Sequence, residues 1–138
     1  MNANPNDFLD TNILVYAFTI DPRAAQAQSL LERGCVIGVQ GLNEFANVAK
    51  RKLLMNWAEI REALSAIRTV CRAIVPIDVE TNTDAVRIAD RYGCAFFDAL
   101  MIASALRADC GILWSEDMQD GLVIDQRLRI ANPFHAAI

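Results

Sequence analysis

The chain has 138 residues, 54% of them hydrophobic and 22% charged, with a formal net charge of -4. That balance excludes an intrinsically disordered chain, and the length suits one domain over residues 1–138 with a substantial core. The negative charge argues against a non-specific nucleic-acid binder, whose footprint is basic, but not against an acidic site that carries cations.

No apolar run reaches the roughly 18 residues of a membrane helix, so no membrane association is expected. The opening MNANPNDF has no basic stretch followed by an apolar one, so a cytoplasmic protein is expected. Cys35, Cys71, Cys94 and Cys110 form no CxxC pair and sit among apolar neighbours, which fits reduced core thiols.

Taken in chain order, Phe8 and Leu9 form a short apolar run that ends at Asp10. Residues 21–34 read as a helix with Asp21 as N-cap, Pro22 in the first position and Gly34 as the stop. Residues 35–39, CVIGV, read as a buried strand. LNEFANVAKRKLL has a helical apolar period and puts Glu44 in its first turn. Asn56 with Glu59 makes a capping box ahead of the stripe Ile60, Leu64, Ile67 and Cys71. AIVPID (73–78) reads as a strand, and Pro76 places it at an edge or a strand end. Gly93 ends the next helix. DALMIASALRAD is apolar almost all round and predicts a buried helix opened by Asp98. CGILWS (110–115) is a strand, EDMQDG a loop and LRIANPF the last strand. The alternation predicts an α/β fold: a central parallel sheet of about five strands with helices on both faces. Ligands of such sheets gather at the carboxyl ends of the strands.

Acidic residues occupy just those places. Asp10 follows FL, Glu44 sits on its helix, Asp98 follows AFF, and Asp117 and Asp120 follow ILWS. Singly, each has an ordinary role: Asp10 and Asp98 as N-caps, Asp117 and Asp120 as loop residues, Glu44 as a dipole partner, Thr11 and Asn12 as turn chemistry. Together, carboxylates converging on one cleft repel and raise one another's pKa values, and cations relieve that. His135 is the only histidine and reads as a surface residue, so the donors are hard oxygens. They point to Mg²⁺ or Mn²⁺ and not to zinc, and such sites serve phosphoryl chemistry.

FLDTNILVYAF, LNEFANV, FFDALMIASAL and ILWSEDMQDG, in that order and at fitting intervals, resemble a PIN-domain nuclease, in particular the VapC-like toxins of toxin–antitoxin pairs. The resemblance implies that Asp10, Glu44 and Asp98 are the first three acidic ligands and Asp117 the fourth, with Asp120 as a further acidic position. It implies that Ser115, Thr11 and Asn12 support them. It implies a PIN-like fold, hydrolysis of RNA phosphodiesters by metal-activated water with Mg²⁺ or Mn²⁺, an antitoxin partner and a homodimer.

Lys50, Arg51 and Lys52 end the Glu44 helix, while Arg61, Arg68 and Arg72 fall on one helix face at spacings of seven and four. Phosphate contact is one reading for both groups. Dipole complementation and a solvated face are the ordinary ones. Arg87 and Arg91 read as surface partners of Asp84 and Asp90, Trp114 as core, and Trp57 as core or base-stacking. Two other functions stay open: a non-catalytic PIN-like module that binds RNA or protein, and a Mg²⁺ phosphohydrolase of small esters. Asn12, two residues after Asp10, disfavours a haloacid-dehalogenase-like version of the latter.

Overall fold

The computed structural model describes residues 6–135. Its elements are β1 (Phe8–Leu9), α1 (Thr11–Tyr16), α2 (Ala24–Glu32), β2 (Val36–Gly38), α3 (Val39–Arg51), α4 (Trp57–Val70), β3 (Ala73–Val75), α5 (Val79–Tyr92), α6 (Phe96–Arg107), β4 (Ile112–Trp114), β5 (Val123–Ile124) and β6 (Leu128–Ala131). One sheet holds all six strands in the order β3-β2-β1-β4-β6-β5. Five strands run parallel, as the alternating sequence predicts, and the sixth, β5, is an antiparallel edge strand paired to β6.

The inner strands β1, β2 and β4 read as continuous apolar sequence because both of their faces are covered. Successive side chains point to opposite faces, and this sorts the core into two halves. Phe8, Val36, Leu113 and Ile130 pack with α5 and α6. Their neighbours Leu9, Ile37, Trp114 and Ala131 pack with the helices α1 to α4. Each fully buried Leu, Ile or Phe contributes about 1.5–3 kcal/mol. Gly38 stands at the end of β2, where a Cβ would lie 3.2 Å from the Phe8 ring, so a larger residue would force that ring to give way.

Several expectations hold in detail. The Asn56–Glu59 capping box is present on both sides. Gly93 ends α5 with a left-handed φ of 69°, and β3 with its following Pro76 lies at the sheet edge. Trp114 is buried, whereas Trp57 is 59% exposed.

Other expectations are corrected. Asp21 does not cap α2, which starts at Ala24. Its side chain instead accepts from the Arg23 backbone N–H and guanidinium at 2.8 Å, closing a turn before the helix. Helix α3 starts directly from β2, so Glu44 is its sixth residue and lies in the second turn, away from the positive end of the dipole. Helix α6 begins at Phe96 with Ala95 as N-cap, so Asp98 is its third residue and not the cap. Arg87 pairs with Asp125, not with Asp84 or Asp90, since tertiary packing brings the β5–β6 turn against α5. Asp84 pairs instead with Arg107, which also reaches Asp78.

Candidate functional site

The sheet grows outward in both directions from the β1–β4 pair, and this is where the chain order switches. Crevices at the carboxyl ends of strands beside such a point are the ligand sites of open α/β sheets. Asp10 leaves β1 there with its N–H bonded to the Trp114 carbonyl at 3.0 Å. Ser115 leaves β4 beside it. Asp10 then caps α1 through its side chain, which accepts from the Thr11 N–H at 2.7 Å.

A cavity of about 480 Å³ opens above these strand ends, lined by Asp10, Glu44, Asp98 and Asp117 together with Thr11, Asn12, Asn47 and Lys52. Four carboxylates from four separate segments thus share one cavity. Asp10 and Asp117 are bridged by Asn12, whose amide N–H groups reach them at 3.2 and 3.0 Å. The Asn12 carbonyl accepts from the Glu116 N–H at 3.3 Å, which seats the 115–118 loop on α1. Ser115 donates its hydroxyl to Asp10 at 2.6 Å and accepts from the Asp117 and Met118 N–H groups. Thr11 donates its hydroxyl to Glu44 at 2.6 Å. The three polar residues beside the acids therefore all serve to hold carboxylates.

The field of the cavity is negative. Burial pushes the Asp10 carboxyl up from 3.8 to about 6, the charges of Glu44 and Asp117 adding to it, while the bonds from Ser115 and Thr11 oppose it. Asp98 is half-buried, and burial raises its pKa too, with repulsion from Asp117 and Glu44 in support. Among the described residues, Lys52 is the one cation on the cavity wall.

The carboxylate donors are hard oxygens, and no His or Cys among the described residues lines the cavity, so its chemistry suits Mg²⁺ or Mn²⁺ and not zinc. As the side chains stand, no three His, Cys, Asp or Glu among the described residues are close enough to hold a metal ion. The oxygens of Asp10, Glu44 and Asp117 are engaged by Thr11, Asn12, Gln40 and Ser115. Only the donor chemistry and the shared cavity therefore speak for a cation.

Other expected residues fall elsewhere. Asp120 does not line the cavity. It accepts from the Asn132 N–H at 3.0 Å and faces the exposed His135 at 3.2 Å, fastening the loop after β4 to the end of β6. Lys52 reaches the cavity, Arg51 is exposed, and Lys50 lies 5.2 Å above the Trp57 ring. Arg68 is exposed in the last turn of α4. Arg72 lies beyond that helix, so it shares no helical face with Arg61 and Arg68. Its guanidinium bonds Asn6 before β1, which places it at the amino end of the sheet, opposite the cavity.

Two features were not foreseen from sequence. Gln40 is buried and reaches Glu44. Glu116, beside Asp117, is turned away and held by Tyr16 at 2.6 Å and Arg23 at 2.8 Å. Arg23 also lies 4.4 Å from the centre of the Tyr16 ring. A sequence signal existed only for Gln40, which stands four residues before Glu44 and hence on the same helix face.

The geometry accords with comparison to known proteins. Residues 8–119 match the PIN domain family model. A search of curated proteins finds no match. Among solved structures, a toxin–antitoxin complex from Klebsiella pneumoniae is 21% identical, with a TM-score of 0.71 over 92% of this chain and 97% of that one. The sarcin-ricin loop cleaving toxin VapC20 of Mycobacterium tuberculosis is 17% identical, with a TM-score of 0.65 over 80% and 91%. VapBC2 from Rickettsia felis, bound to a DNA fragment from its promoter, is 19% identical, with a TM-score of 0.66 over 91% and 97%. At those identities the likeness is one of fold. The family match spans most of the sequence, and the chain belongs to the PIN domain family.

Proposed function

We propose that this protein is a Mg²⁺- or Mn²⁺-dependent endoribonuclease, the toxin of a toxin–antitoxin pair acting in the cytoplasm. The observation that carries the reading is that Asp10, Glu44, Asp98 and Asp117 line one cavity at the topological switch point. Asp10, Asp98 and Asp117 would hold the cation, with Glu44 as ligand or water-orienting group. When bound, a divalent ion supplies an activated water and charge neutralisation on the phosphodiester.

The chain's own residues do the arranging. Ser115 and the Thr11 N–H fix the Asp10 carboxylate, and Asn12 sets its distance from Asp117. Lys52 on the cavity wall offers a phosphate contact, with Lys50 and Arg51 just before it in the last turn of α3. Solved structures of similar fold include toxin–antitoxin assemblies and a sarcin-ricin loop cleaving toxin, which supports an antitoxin partner and an RNA substrate here. A homodimer is part of the same reading. The test is cleavage of total RNA by the purified chain in Mg²⁺ and in EDTA. Cleavage that needs the metal supports the proposal, and equal cleavage in EDTA overturns it.

A further inference from the structure

Gln40 sits in the first turn of α3, two residues beyond the end of β2, and is 6% exposed. Its amide nitrogen donates twice: to Oε2 of Glu44 at 3.1 Å and to the Phe97 carbonyl at 3.0 Å. Thr11 holds the other oxygen of Glu44 at 2.6 Å. The Glu44 carboxylate is therefore gripped on both sides. Phe97 immediately precedes Asp98 in the first turn of α6. One buried amide thus joins the helix that carries Glu44 to the helix start that carries Asp98.

The amide carbonyl, Oε1, is buried without a hydrogen-bond partner. An orphaned buried acceptor is destabilising, and an apolar side chain of the same length would fill the space without one. Turning the amide over does not relieve it, because Oε1 would then face two acceptors, the Glu44 carboxylate and the Phe97 carbonyl. What glutamine adds over methionine at this position is its two N–H groups, one directed at the Glu44 carboxylate and one at the backbone carbonyl next to Asp98.

We infer that Gln40 is a positioning residue of the cation site: its amide sets the Glu44 carboxylate and ties it to the start of the helix bearing Asp98. The inference rests on the metal-site reading above. Gln40 touches neither substrate nor cation and acts through Glu44 and α6.

The experiment is calorimetric titration of wild type and Gln40→Met with Mn²⁺, with thermal unfolding of both in EDTA. Methionine keeps the length and removes both donors. The expected result is Mn²⁺ binding by wild type and about tenfold weaker binding by the variant, as for residues that orient metal ligands. A purely structural glutamine would change the unfolding temperature and leave the Mn²⁺ affinity of the folded variant unaltered, and that result overturns the inference while the metal reading stands. Absence of Mn²⁺ binding by wild type removes the metal reading and this inference with it. Should the variant not fold, the Gln40 side-chain amide resonances of wild type decide. They are expected to shift on addition of Mg²⁺, and unmoved resonances beside shifting Asp98 and Asp117 signals overturn the inference.

Discussion

Ser115 donates its hydroxyl to the Asp10 carboxylate at 2.6 Å, and this bond joins the carboxyl ends of β4 and β1, the two central strands. The same oxygen accepts from the backbone N–H groups of Asp117 and Met118, so one hydroxyl orders both a carboxylate and the loop that carries another. Ser115→Ala removes a bond to a buried charged group and leaves two loop donors without their acceptor. The expected cost is about 1–3 kcal/mol in urea unfolding, with weakened RNA cleavage. Wild-type stability and activity in the variant would show that the bond organises nothing.

Asp10 gives a pH signature. Its folded pKa of about 6 lies above the ordinary 3.8 because burial disfavours the charge. Between those values the folded state binds more protons than the unfolded one, so stability falls as pH rises through that window. Metal-free protein should accordingly be most stable below about pH 4 as far as this group is concerned, losing roughly 3 kcal/mol from there to pH 7. Asp10→Asn in EDTA at pH 7 should unfold a few degrees higher than wild type and show a flatter pH dependence between 4 and 6. Thermal unfolding across that range checks both. An Asp10→Asn protein that keeps the wild-type slope assigns the pH dependence to other groups.

The Arg23–Glu116 pair keeps an acid next to Asp117 out of the cavity. Arg23 is 41% exposed and its pair is screened, so Arg23→Gln should cost no more than about 1 kcal/mol in urea unfolding. Its larger effect should be functional. Without its partner Glu116 competes for cations, and the Mg²⁺ concentration for half-maximal cleavage should change. An unchanged Mg²⁺ dependence would show that Glu116 stays with Tyr16 unaided.

Much of this fold was legible in the sequence because its signals are local. Asn56 with Glu59, Gly93 after an amphipathic run, and Pro76 after AIV each act within one turn, and each is found as predicted. Element starts were less legible. Helix α6 begins two residues before Asp98, with Phe97 65% exposed, because no side-chain cap marks its start. Strand β5 was missed for a related reason. Its turn into β6 places Asp125 and Gln126 at φ of 52° and 57°, and neither is the glycine that usually announces such a turn. At the site, the four acids of the cavity were visible from their places just after a strand or early in a helix, and from the motifs that carry the family resemblance. The separation of Asp117 from Asp120 was not, since it depends on the β6 register that hands Asp120 to Asn132.

Whether Asp98 belongs to a cation-dependent reaction centre is decided by comparing Asp98→Asn with Asp120→Asn in Mg²⁺-supported RNA cleavage. Asp98 is half-buried in the cavity, repelled by Glu44 and Asp117, and caps nothing, so asparagine should leave the fold and its stability intact. Asp120 is fastened to Asn132 and His135 outside the cavity. Asp98→Asn should lose cleavage by at least about a hundredfold, the scale of a displaced catalytic ligand, while Asp120→Asn stays close to wild type. Full cleavage by folded Asp98→Asn would remove Asp98 from the reaction centre.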